Sequence, residues 1–208
     1  MKKPLDLTTW ARKDHFHFFK QFEEPFFGVC INIDCTRAYE VAKAKGYSFF
    51  LYYLYQSLKA ANAIEPFRYR ILADEVVIYD AVHASPTINR PDGTFGFAYM
   101  DYKITLEEFM LAAKKEIEKV QQEKGLVPAM QSENVIHYSS IPWINFTSLS
   151  HARSFSYKDS IPKISFGKVT EQQGKKQMPV SIHVHHALMD GFHVGQYISL
   201  FEELLNQE

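Results

Sequence analysis

The sequence predicts an α+β fold, a mixed β-sheet flanked by helices. Three observations predict it. Strand-like segments come in runs, with helical segments before and after them rather than in strict alternation; that favours α+β layering over a doubly wound sheet. Neither a Gly-x-Gly-x-x-Gly stretch nor a phosphate-binding loop is present, so no nucleotide fold of that kind is suggested. Hydrophobic residues make up 46% of the chain and aromatics 15%, enough to bury a sizeable core. With 208 residues and no linker-like stretch, one domain over residues 1–208 is expected.

The elements follow in order. Thr8 or Thr9 is placed to cap a helical turn carrying Trp10, Asp14 and His15. Pro25 breaks the chain, and Phe26 to Asp34 alternates as a strand does. Thr36 opens a helix that Gly46 ends. Ser48 caps the next, which runs to about Ala63 and is apolar on most of its circumference, so it is expected to be deeply buried. Arg68 to Leu72 and Glu75 to Val82 form a hairpin around Ala73-Asp74. Pro86 and then Asn89 to Gly93 mark a loop, and Thr94 to Tyr102 returns as a strand.

Thr105 and Glu108 have capping-box spacing ahead of a helix to about Lys124, closed by Gly125. Asn134 to Ser139 is a short strand, and Ile141 to Phe146 continues extended past Pro142. Lys163 to Thr170 and Met178 to His185 are strands separated by a polar Glu-Gln-Gln-Gly-Lys-Lys turn. Val194, Ile198, Phe201 and Leu205 define the face of a last helix.

Composition removes several functions. A formal net charge of −1 does not support a nucleic-acid partner or an anionic membrane surface. The most apolar run, Tyr47 to Leu58, is too short to span a bilayer. Two cysteines, Cys30 and Cys35, make no disulfide framework, and no secretory leader is evident at Met1. A cytoplasmic location is the expectation.

The chemistry gathers in Ser181-Ile-His183-Val-His185-His186-Ala-Leu-Met-Asp190-Gly191-Phe-His193, a strand ending in a polar turn ahead of a helix. On a strand, His183 and His185 share one face and His186 takes the other. Two bland readings compete with a catalytic one. His183, His185 and His193 are candidate metal ligands, although no carboxylate or cysteine is placed to complete the set. Alternatively the histidines are hydrogen-bonded structural residues and Asp190 is a helix N-cap.

His185-His186-x-x-x-Asp190-Gly191, with strand before and helix after, resembles the signature of the CoA-dependent acyltransferase superfamily. Two further segments narrow the resemblance. Trp10-x-Arg12-x-x-His15-Phe16 and Ser139-x-x-Pro142-Trp143-x-x-Phe146 are similar to segments of the chloramphenicol acetyltransferases, in the same order along the chain. The resemblance implies a two-layer α/β sandwich. It also implies acetyl-CoA as co-substrate with no metal, chloramphenicol as the leading acceptor or another small hydroxyl compound in its place, and a homotrimer with active sites between subunits.

The resemblance also implies roles. His186 is the general base, a task suited to imidazole because its pKa lies near neutrality; its ring is held by its own backbone carbonyl. Ser139 donates to the oxyanion, the neighbouring Ser140 being the less favoured register. Asp190 pairs with Arg12 and anchors the histidine turn, rather than completing a triad. Phe18, Phe19, Trp143 and Ser165 are substrate-binding positions. Pro91 to Gly96 and His137 depart from the family pattern around the acceptor.

Overall fold

The computed structural model describes residues 1–126 and 132–207. Its elements are β1 (Lys2–Pro4), α1 (Lys13–Phe19), β2 (Phe26–Asp34), α2 (Thr36–Lys45), α3 (Phe49–Ala63), β3 (Tyr69–Leu72), β4 (Glu75–Tyr79) and β5 (His83–Asn89). They continue as β6 (Phe95–Phe97), α4 (Leu106–Gln122), β7 (Val135–Ser140), β8 (Lys163–Phe166), β9 (Thr170–Gln172), β10 (Lys175–His185) and α5 (Gly191–Asn206). The main sheet runs β2-β10-β8-β7-β5-β6, with β9 also paired to β10. It is mixed: β8, β7 and β5 are parallel, while β2, β10 and β6 pair antiparallel with their neighbours. This is the α+β fold the sequence predicts.

Alternation on the central strands divides the sheet into two faces. Ile33, Val180, Ile182, Val184, Ile164, Phe166, Ile136 and Tyr138 point into one core with α2, α3, α4 and α5. Three buried hydroxyls stitch that core together: Ser57 Oγ lies 2.6 Å from Tyr197 Oη and donates to Tyr138 Oη at 3.1 Å. The opposite face carries polar residues in register. One row is Ser139, Ser165, Ser181 and Cys30 across β7, β8, β10 and β2; the next is His137, Lys163, His183 and Gly28.

A second sheet, β1-β4-β3, supports a smaller core. Phe16, Tyr69, Val76, Ile78, Ala187 and Leu188 are buried together there, with Trp10 and Phe19 against them. Two residues of the histidine turn are thus packed against the start of the chain. Arg70, on β3, is fully buried and donates to the carbonyls of Phe67, Tyr69, Glu133 and Val135.

Several capping expectations hold. Ser48 Oγ accepts from the Leu51 amide, Thr105 Oγ1 accepts from the Glu108 amide, and Gly46 takes the left-handed conformation at φ 66°. Others need correction. Thr8 and Thr9 do not cap a helix: their hydroxyls donate to Asp6, and α1 begins only at Lys13. Trp10 lies before the helix, edge-on to Tyr69 at 5.8 Å.

His83–Asn89 is a strand, not a loop, despite Pro86. The Pro86 carbonyl accepts from Ala98 on the β6 side, so its missing N–H falls on that side too. There β6 has only three residues, and little ladder is lost. The Thr94–Tyr102 strand shrinks accordingly to Phe95–Phe97, with one further bridge from Met100 to Ala84. The Lys163–Thr170 strand stops at Phe166: Gly167 still donates to the Pro179 carbonyl at 2.8 Å, but Pro179 has no N–H to return the bond. The chain turns at Pro142-Trp143 instead of continuing extended, with Ile144 donating to Ile141.

Candidate active site

Arg12 joins the two ends of the chain. Its Nη1 pairs with Asp190 Oδ2, and its Nη2 donates to the main-chain carbonyl of His186 at 3.2 Å. Asp190 is also the N-cap of α5: Oδ1 accepts from the Phe192 amide at 3.1 Å and lies 2.9 Å from His193 Nδ1. Burial pushes the Asp190 carboxyl up, but Arg12 and His193 outweigh it and hold the group below its ordinary value. One carboxylate therefore fixes the start of α5 and the guanidinium that grips His186 at the opening of the turn.

His186 is the first residue past β10. Its amide donates to Pro25 at 2.8 Å. Its ring stacks on Phe19, with centroids 3.9 Å apart and planes 16° from parallel, and Phe27 packs on it at 4.6 Å. Nδ1 lies 3.3 Å from the Met189 carbonyl. A carbonyl only accepts, so this contact places the proton on Nδ1 and leaves Nε2 with its lone pair. The orienting carbonyl is that of Met189; the carbonyl of His186 itself, expected in this role, is held by Arg12.

The other histidines have separate partners. His183 lies 3.2 Å from Ser181 Oγ, His185 Nδ1 accepts from the Ala187 amide at 3.3 Å, and His193 meets Asp190. They do not converge, and among the described residues no three side chains of His, Cys, Asp or Glu are grouped for a metal ion. Burial pushes the His185 imidazole down to about 4, so it is neutral at pH 7.

Ser139 and Ser140 point to opposite faces. Ser140 Oγ is 2.9 Å from Tyr53 Oη, tied into the helix-side core. Ser139 lies on the polar face and lines a cavity of about 440 Å³ with His137, His151, Lys163, Phe95 and Phe97. Ser165 sits beside it in register, fully buried, with no partner for its Oγ among the described residues. Phe18 is exposed and stacked edge-on to Phe19 at 5.0 Å. Trp143 is exposed on the turn after β7 and does not line this cavity.

Within one chain, Ser139 and His186 are far apart. Ser139 is in register with Ser181, two strands away, and His186 lies five residues further on. Strand geometry makes this roughly 10 Å across and roughly 16 Å along the sheet. Sequence patterns missed Phe27, the Pro25 and Met189 carbonyls, and the Lys163 and His151 wall. Only the first two flank a recognisable element, and main-chain partners leave no signal in residue type.

The fold is an acyltransferase fold. It matches the solved dihydrolipoamide acetyltransferase of Azotobacter vinelandii with a TM-score of 0.67 over 93% of this chain and 86% of that one, at 18% identity. More specifically, the chain belongs to the chloramphenicol acetyltransferase family, whose model matches residues 2–202. It is 30% identical to a chloramphenicol acetyltransferase of Bacillus pumilus over 99% of this chain and 94% of that one. A solved chloramphenicol acetyltransferase superimposes with a TM-score of 0.90 at 30% identity, covering 99% and 100% of the two chains. The chain is thus an acyltransferase.

Proposed function

We propose that this protein moves the acetyl group of acetyl-CoA to a hydroxyl of chloramphenicol, at sites formed between the subunits of a homotrimer. His186 Nε2 takes the acceptor's hydroxyl proton as that oxygen bonds to the thioester carbon. Ser139 donates its hydroxyl hydrogen to the resulting oxyanion. The C–S bond then breaks, and the proton on Nε2 passes to the departing CoA sulfur. Both substrates are bound together, and no acyl group rests on the protein. Arg12 and Asp190 are positioning residues; Phe18, Phe19, Trp143 and Ser165 surround the substrates. A cytoplasmic location fits the donor.

The observation that carries this reading is the contact of His186 Nδ1 with Met189, which leaves Nε2 as the base. The separation of Ser139 from His186 within one chain supports a site shared between copies. Release of CoA from acetyl-CoA that requires chloramphenicol, and is lost in His186→Ala, is the expected result. CoA release that does not depend on chloramphenicol would point to hydrolysis or to another acceptor.

A further inference from the structure

The cavity beside Ser139 has two unlike walls. Phe95 and Phe97 form an aromatic one. Lys163, on β8 across β5 and β7 from them, and His151 form another. A cavity of about 440 Å³ suits a small acceptor rather than a nucleotide-bearing thioester.

Lys163 is unusual for such a place. Its residue is only 8% exposed. Its Nζ donates to Asp159 Oδ1 at 2.8 Å and to the Ile161 carbonyl at 3.1 Å, and lies 4.4 Å from the Phe26 ring centre. An ammonium has three donors, and among the described residues two of them meet oxygen acceptors. Asp159 balances the charge, and Arg153 beyond it is paired with Glu24. The wall therefore offers hydrogen bonds without a net charge. His151 extends it: its ring packs edge-on to His183 at 4.8 Å, and its buried Nε2 has no partner among the described residues. Burial, with His183 and Lys163 beside it, pushes the His151 imidazole down to about 4.

A buried ion pair of this kind adds little stability over apolar residues of the same volume. An unpartnered buried ring nitrogen costs stability. Lys163 and His151 both line the cavity that holds Ser139, where a substrate group can complete them.

Resting on the acyl-transfer reading above, we infer that Lys163 determines acceptor specificity, with His151 beside it. The acceptor is a neutral molecule with an apolar body on Phe95 and Phe97 and an oxygen-bearing substituent that takes the third Lys163 donor. The nitrophenyl group of chloramphenicol meets this description. A carboxylate is disfavoured by the nearby Asp159.

The test is calorimetric binding of two matched alcohols, para-nitrobenzyl alcohol and para-methylbenzyl alcohol, to the assembled protein. Wild type is expected to prefer the nitro compound by about tenfold, the worth of one charge-assisted hydrogen bond. The double variant Lys163→Met/Asp159→Asn, which leaves no lone charge, is expected to lose that preference, and Lys163→Arg to keep most of it. Equal or undetectable binding of both probes by wild type, or an unchanged preference in the double variant, would overturn the inference. Should the double variant fail to fold, the wild-type ratio alone decides. Binding needs no turnover, so a failure of the acyl-transfer reading is seen separately, as undiminished CoA release by His186→Ala.

Discussion

Arg12 donates to the main-chain carbonyl of His186 at 3.2 Å while its other amino group pairs with Asp190, so one side chain holds both ends of the histidine turn. The turn needs this external grip because His186 has just left the sheet ladder. Asp190→Asn should lower kcat by misplacing the base while leaving the fold intact. A double-mutant cycle with Arg12→Met should give a coupling of about 1–3 kcal/mol. Wild-type kcat in folded Asp190→Asn would remove the anchor from the account.

Acid stability carries the same pair. The folded Asp190 carboxyl titrates below its ordinary value, so its contribution is present above about pH 4 and is lost as pH falls through the lower folded value. Urea midpoints of wild type and Asp190→Asn should therefore converge in acid. A constant gap between them from pH 6 to pH 2 is the contrary result.

His185 acts over a higher window. Its folded value is near 4 because of burial, against about 6.5 unfolded. The unfolded state binds the proton first, so stability falls as pH drops from about 6.5 to about 4, by about 3 kcal/mol at most. At fixed protein concentration, His185→Gln should flatten this limb of the stability profile. An unaltered slope would mean that other groups carry it.

Phe19 lies flat against His186 at 3.9 Å. Phe19→Leu should lower kcat about threefold to tenfold, in line with the energy of one aromatic contact, with little change in the KM for acetyl-CoA. Steady-state kinetics at saturating acetyl-CoA checks this. A larger effect on that KM than on kcat would assign Phe19 to donor binding.

Much of this was legible in the sequence, for identifiable reasons. β2, α2, α3 and α5 announce themselves because alternation, Ser48, Gly46 and Asp190 act locally. β5 was hidden because Pro86 reads as a breaker, and only the shortness of β6 beside it makes a strand tolerable there. Arg12, Ser139, His186 and Asp190 stand out as residue types. The Met189 carbonyl does not, because any residue supplies one. The wall of Lys163 and His151 is created by strand register and a returning segment, which no local pattern encodes.

The central claim is that His186 of one copy works with Ser139 of another. Ser139→Ala alone should slow turnover by about 10²–10³-fold, and His186→Ala should nearly abolish it. Mixed one to one, unfolded and refolded together, the two variants should regain about one quarter of wild-type activity, since random closed rings of three rebuild that share of sites. A refolded mixture no more active than the sum of the two variants kept apart would contradict the claim.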